Sequence, residues 1–282
     1  MSELPVLRTV AALRGAVAKL RAAGRTIALV PTMGALHDGH ISLGELAKAR
    51  GAAVVYSIFV NPTQFAPHED FARYPRDERA DALLLATEDV ADLIYAPTAE
   101  EMYPAGFETQ IAIGGPTAGL ETDFRPHFFG GVGVVVAKLL LQALPDFAVF
   151  GEKDYQQLQV IRRMVRDLDI PVEIVGAPTQ READGLAMSS RNARLSPQDR
   201  AAAPALYAAL TRAAQRLRGG EDPAPVLEAA REEILAGGFA RVEYLDLRAP
   251  ESLALLDRRD GPARLLAAAW LGPVRLIDNV AV

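Results

Sequence analysis

Two imidazoles flank a glycine in His37-Asp38-Gly39-His40, where a short apolar run gives way to a helical segment. A helix N-terminus offers backbone N–H groups and a partial positive charge to an anion. The histidines add side-chain donors, and Gly39 lets the backbone come close to a ligand. The combination suits a phosphate. Two other readings of the same residues stand beside it: a histidine-bearing turn without a ligand, and a metal site, since histidine binds Zn²⁺. The metal would need a third ligand, and neither an HExxH helix nor a cysteine cluster supplies one.

No GxxxxGK[ST] is present, and Gly131 and Gly133 do not clearly follow a strand, so neither a P-loop nor a dinucleotide fingerprint accounts for phosphate binding. Gly151-Glu152-Lys153-Asp154 meets that need. Its lysine can face phosphate charge, and its carboxylates can accept from ribose hydroxyls. Taken alone it also reads as a solvated loop with Asp154 as an N-cap. Met188-Ser189-Ser190-Arg191 puts two hydroxyls and a guanidinium in one loop, which suits a triphosphate whose charge grows on a leaving pyrophosphate. The plain alternative is a polar turn before the Ser196-Pro197 helix start. Gln64 and Gln157 are neutral hydrogen-bonding groups beside apolar segments and would suit a small hydroxy acid, though each alone also fits a surface glutamine.

The elements that must position these groups follow from hydrophobic periodicity. Helices are expected at Thr9–Ala23, His40–Ala49, Asp77–Thr87, Gly131–Leu144 and Asp154–Leu168. Short apolar strands are expected at residues 26–30 (closed by Pro31), 53–60, 93–95, 147–150 and 172–175. Their alternation predicts an α/β, doubly wound, Rossmann-like parallel sheet. Beyond Gly176 the pattern changes to helices near Pro197–Leu217 and Pro223–Leu235, then β-runs at 242–247, 264–269 and 274–277. That is a smaller α+β domain, with the boundary placed at residues 1–175 and 176–282.

Bulk composition narrows the class. The 282 residues carry a net charge of −6, which argues against a nucleic-acid partner. No stretch approaches the roughly 20 apolar residues of a membrane span, and no secretory signal is evident. Cysteine is absent, excluding disulfides and thiolate chemistry together. A cytoplasmic enzyme acting on small molecules fits these facts.

Pro31-Thr32-Met33-Gly34-Ala35-Leu36-His37-Asp38-Gly39-His40, Phe59-Val60-Asn61-Pro62-Thr63-Gln64-Phe65, Gly151-Glu152-Lys153-Asp154-Tyr155-Gln156-Gln157-Leu158 and Ser189-Ser190-Arg191-Asn192 occur in this order. In that order and wording the chain resembles the pantothenate synthetase family over nearly its whole length. The C-terminal Arg275-Leu276-Ile277-Asp278-Asn279 is similar to the family's ending. The resemblance implies an ATP-dependent ligase that joins pantoate to β-alanine through a pantoyl-adenylate, releasing AMP and pyrophosphate, with Mg²⁺ carried on ATP and no resident metal. It implies that Met33, Gly34, Ala35, Leu36, His37, Asp38, Gly39 and His40 line the ATP site, with His40 as proton donor. His37, His40 and Lys153 would be catalytic. Gly151, Glu152, Lys153 and Asp154 would hold ribose and phosphate, and Met188, Ser189, Ser190 and Arg191 would close over the triphosphate. Gln180, standing where the family has an aliphatic residue, would touch ATP through its backbone. Gln64 and Gln157 would bind pantoate, with Gln64 near β-alanine. A homodimer is also implied.

One further departure bears on the pocket: Arg125-Pro126-His127-Phe128 shifts the family's histidine by one place. The competing assignments are a sister nucleotidyltransferase with the same HxGH signature and a non-catalytic nucleotide sensor. A tRNA synthetase would need more length and a less acidic chain.

Overall fold

The computed structural model describes residues 4–65 and 76–282; Met1–Glu3, which open the stretch read as lacking a secretory signal, lie outside them. The chain divides into two compact units, Met1–Glu152 with Val160–Pro178, and Lys153–Gln159 with Thr179–Val282. The first change of unit falls inside the Gly151–Asp154 motif. The last falls between Pro178 and Thr179.

Along the first part of the chain run β1 (Val6–Leu7), α1 (Val10–Ala22), β2 (Ile27–Thr32), α2 (Asp38–Ala49), β3 (Ala53–Ile58), α3 (Glu78–Thr87) and β4 (Leu93–Tyr95). The short α4 (Ala99–Met102) and α5 (Glu121–Phe124) follow, then α6 (Phe128–Ala143), β5 (Phe147–Gly151), α7 (Tyr155–Asp167) and β6 (Glu173–Ala177). The strands form one sheet in the order β1-β4-β3-β2-β5-β6, and its ladders are parallel. Successive side chains of a strand face opposite ways. Ala28 and Val30 therefore join Ile41, Leu43 and Ala47 of α2 in one core, while the opposite face of β2 meets α1 and α6. Coverage on both faces is why these strands read as continuous apolar runs. The chain winds outward from β2 to β4 and then returns to the other side of β2 for β5 and β6. Ligands of such sheets sit outside the carboxyl ends of the strands at this reversal, here between β2 and β5.

Several local expectations change. β2 runs through Pro31 to Thr32. Thr32 turns its carbonyl toward β3, accepting from Phe59 N, so Pro31 turns its missing donor toward β5. The pairing with β5 has already ended at Leu29, and no ladder bond is lost. α2 begins at Asp38 instead of His40 because His37 caps it, and β3 stops at Ile58. α6 starts at Phe128, so three residues expected in a loop are helical. Glu152–Asp154 forms a 3-10 turn, so α7 begins at Tyr155. The last parallel strand lies at Glu173–Ala177, and β1, too short to show a period, was not legible.

The second unit holds α8 (Pro197–Ala202), α9 (Ala205–Arg218), α10 (Pro223–Ala236) and an antiparallel sheet of β7 (Arg241–Arg248), β8 (Arg264–Leu271) and β9 (Val274–Ala281). Leu206, Leu210, Leu217, Val226 and Ile234 of the helices bury against Leu245, Leu265 and Leu276 of the strands. The single helix expected over Pro197–Leu217 is two, because Pro204 has no N–H for a continuing ladder and stands instead at the start of α9.

Candidate active site

The start of α2 is held by its own histidines. His37 is the N-cap; its Nδ1 accepts from Gly39 N at 3.1 Å. His40 Nδ1 accepts from His37 N at 3.3 Å, completing a capping box in imidazole. With both Nδ1 atoms accepting, the proton of each neutral ring sits on Nε2. The ring centroids are 4.1 Å apart, tilted by 47°. Below them, Tyr56 OH donates to His40 O at 2.8 Å, and burial raises the phenol well above its ordinary pKa. Gly44 leaves the room that hydroxyl occupies.

The loop leading into α2 turns through two left-handed residues, Gly34 at φ +82° and Ala35 at φ +52°. A side chain in that region costs roughly 1–2 kcal/mol. What offsets the cost is Asp81 of α3, whose carboxylate accepts from Ala35 N at 3.1 Å and Leu36 N at 2.8 Å. Asp81 is only 5% exposed. Burial raises its pKa, against the pull of the Leu36 and Ala35 N–H bonds, and neighbouring Asp77 and Glu78 add to the rise. A methyl group on Gly34 would lie 2.9 Å from Asp81 Oδ2, so glycine is needed for space as well as for conformation. Thr32 Oγ1 donates to Ser57 O at 2.7 Å and tightens the same turn.

Beside β2, the 3-10 turn Pro62–Gln64 follows β3. Asn61 is fully buried; its Oδ1 accepts from Thr63 N, Thr63 Oγ1 and Tyr103 OH at 3.3, 3.0 and 2.7 Å, and its Nδ2 donates to Gly131 O at 3.2 Å. Gly131 lies inside α6, where any Cβ would run into the Thr63 carbonyl, so this glycine serves close packing and not a nucleotide loop. Gln64 is buried, and its main-chain oxygen accepts from Arg125 at 3.1 Å. Arg125 stacks over Phe128 at 4.0 Å and faces Glu121 at 3.9 Å. The departing Arg125-Pro126-His127-Phe128 stretch thus holds the Gln64 turn through its arginine, while His127 makes no side-chain cap to α6.

Gly151 and Glu152 leave β5 immediately beside β2, so the first unit brings Met33–His40, Gln64 and Gly151–Glu152 to the carboxyl ends of three adjacent strands. Asp38 among them is exposed. The remaining sequence-picked residues belong to the second unit. Lys153, partly exposed, has its main-chain oxygen bonded by Asn279 Nδ2 at 3.0 Å. Asp154 is exposed, and Gln157 is partly exposed between buried Gln156 and Leu158. Gln180 is exposed, and its main-chain oxygen accepts from Met188 N at 2.9 Å. Ser189 caps the 3-10 turn Ser190–Arg194 through Arg191 N at 3.3 Å. Among the described residues no three His, Asp or Glu side chains are grouped to hold a metal ion.

Sequence reasoning missed Asp81, which reads as an ordinary acid in a helix's first turn. Asn61, Asp278 and Asn279 stand within the sequence motifs, but nothing local gave them a task.

The comparisons with known proteins agree with one another. The family described as Pantoate-beta-alanine ligase matches residues 5–281. The chain is 58% identical over 279 residues to a pantothenate synthetase of Rhodopseudomonas palustris (strain HaA2), covering 98% of each chain. Among solved structures it is similar to pantothenate synthetase from Thermus thermophilus, with a TM-score of 0.91, 48% identity and 98% of each chain covered. It is also similar to a Francisella tularensis pantoate-beta-alanine ligase complexed with beta-gamma ATP and beta-alanine. There the TM-score is 0.81 and the identity 34%, with 98% of this chain and 97% of that one covered.

Proposed function

The chain belongs to the pantoate-beta-alanine ligase family, and from that premise we propose that it condenses pantoate with β-alanine through a pantoyl-adenylate. The observation that carries the proposal is the α2 start at the β2–β5 reversal, where both histidines accept at Nδ1 and so carry their N–H at Nε2. An array of that kind fits a polyphosphate whose charge grows during reaction. The Francisella relative's ATP and beta-alanine supply two of the three substrates in kind.

In the first half-reaction a pantoate carboxylate oxygen bonds the α-phosphorus of ATP while the bond from that phosphorus to the bridging oxygen breaks. Pyrophosphate leaves with the Mg²⁺ that ATP carried. His37, His40 and Lys153 stabilise the charge that builds on the phosphates, with His40 as proton donor. Met33–Leu36, Gly151, Glu152 and Asp154 orient the nucleotide. Gln180 through its backbone and Met188–Arg191 contact the nucleotide and its triphosphate, and Gln64 and Gln157 bind pantoate. In the second half-reaction the amine nitrogen of β-alanine bonds the acyl carbon, the bond to AMP breaks, and the nitrogen gives up a proton. Binding both partners in register supplies much of the acceleration. Mg²⁺ enters as part of the nucleotide, and the Asp81 carboxylate beneath the loop is already committed to two backbone N–H groups. A homodimer and a cytoplasmic location belong to the same proposal; among the described residues no helix is long and apolar enough to cross a membrane.

Pyrophosphate release from ATP and Mg²⁺ tests it. Release that requires pantoate, followed by AMP and pantothenate once β-alanine is added, is the expected result. Release with a different acid, and none with pantoate, would overturn it.

A further inference from the structure

The motif near the C-terminus, Arg275-Leu276-Ile277-Asp278-Asn279, lies on β9, and its last two residues are almost fully buried, at 5% and 4% exposure. Neighbours on a strand reach in opposite directions, and these two reach different segments. Asp278 takes both arms of the Arg181 guanidinium, at 2.6 and 2.8 Å. The Arg181 guanidinium carbon sits over the Tyr207 ring, 3.6 Å from its centroid, and the group donates again to Gly185 O at 3.0 Å. It belongs to a closed hairpin: Arg181 bridges Ala187, Met188 N donates to Gln180 O, and Gly185 turns it at φ +93° against Tyr207. Asn192 Nδ2 donates to Ala187 O at 3.0 Å and ties the Ser190–Arg194 turn to the same hairpin. Asn279, for its part, donates from Nδ2 to Lys153 O at 3.0 Å while its Oδ1 accepts from Arg264 at 2.6 Å. Arg264 then covers the Tyr155 ring at 3.7 Å.

We propose that Asp278 and Asn279 are a paired clamp for catalysis: Asp278, through Arg181, positions the hairpin that carries Gln180 and Met188–Arg191, and Asn279 positions the main chain of Lys153. The inference rests on the function proposed above. Neither residue touches substrate; both act through the groups they hold. A bidentate Arg–carboxylate pair fixes direction as well as distance, and a charged group shifted by about 1 Å from its reacting partner can cost on the order of a hundredfold in rate. One dipeptide on a rigid strand thereby sets two segments that must act on the same nucleotide.

The test uses an isosteric change and a charge-preserving change in the full chain, because deleting one partner of a buried ion pair leaves a charge uncompensated and threatens folding. Asn279→Asp keeps Oδ1 for Arg264 and replaces the amide donor by an oxygen facing Lys153 O. Arg181→Lys keeps the charge and loses the fork. Expected for Asn279→Asp is a roughly ten- to hundredfold lower kcat for pantoate-dependent pyrophosphate release, with the KM for pantoate unchanged. Arg181→Lys is expected to raise the KM for ATP about tenfold while the pantoate KM holds. Wild-type kcat and ATP KM in both folded variants, with a lowered melting temperature as the sole change, would overturn the clamp. If the unvaried chain itself releases no pyrophosphate, the functional reading fails, and amide hydrogen exchange then judges the clamp. Faster exchange confined to 153–159 in Asn279→Asp and to 180–194 in Arg181→Lys upholds the physical attachment, and unchanged exchange rejects it.

Discussion

The loop Met33–His40 of the first unit and the hairpin Gln180–Met188 of the second both present residues assigned to the nucleotide, yet they are held by different physics. The first is fixed through its backbone: two imidazoles cap their own helix, and Asp81 accepts the amides of Ala35 and Leu36. The second closes on its own backbone and is tied to β9 through one side chain, Arg181, forked onto Asp278 at a separation of 97 residues. A backbone-held loop resists change at many bonds at once, whereas the hairpin's tie to β9 depends on the identity of one pair.

The largest expected effect lies in the first region. His40→Ala removes an Nε2–H donor and the acceptor for His37 N, so adenylate formation should fall on the order of a thousandfold, with about 1 kcal/mol of lost stability from the broken cap. Stopped-flow pyrophosphate release alongside a thermal melt measures both. Turnover within a few-fold of wild type would remove His40 from the chemistry and leave it a cap.

Asp81→Asn sharpens the contrast. An amide can accept only one of the two loop N–H bonds and turns a donor toward the other, so the left-handed turn at Gly34–Ala35 loses its support. A roughly ten- to hundredfold fall in kcat/KM for ATP is expected. An unchanged value would mean that the loop's conformation does not need the carboxylate.

The smallest effect tests whether any buried ion pair of the second unit matters to turnover. Glu243, at the irregularity in β7, accepts from Trp270 Nε1 at 2.5 Å and Arg275 Nε at 2.6 Å but carries no segment assigned to substrate. Burial pushes its pKa up, but the bonds from Arg275 and Trp270 and the charges of Arg275 and Arg241 outweigh it and hold the value below the ordinary one. A depressed folded pKa gives stability that is present above the unfolded pKa and is lost as pH falls through the folded value. Glu243→Gln should therefore cost about 1–2 kcal/mol at neutral pH, a difference that shrinks in acid as wild-type Glu243 protonates. Its kcat should match wild type. Denaturant unfolding across pH with parallel assays checks this, and a kinetic defect would show that the Arg181–Asp278 pair is not special.

Much of the fold could be read in advance because its signals are local. Apolar runs, their alternation with helical periods and the change of pattern near residue 176 all act within a few turns of chain. The HxGH segment was legible for the same reason, since its two histidines lie three residues apart. Where reading failed locally, the competing rule was identifiable: Pro31 stays in a strand whose pairing on that side has ended, and Pro204 splits a helix that apolar periodicity would have continued.

What the amino-acid order determined on its own, then, was which segments become most of the strands and helices and which hold the candidate groups for a phosphate. Tertiary structure alone decided what holds those segments still. Asp81 meets Leu36 across 45 residues, Asp278 meets Arg181 across 97, and Asn279 meets Lys153 across 126. An acid in a helix's first turn or an Asp-Asn pair on a strand has the same local pattern whether it faces water or a buried partner. Only the path of the chain, set by packing of the two cores, determines which of these it meets.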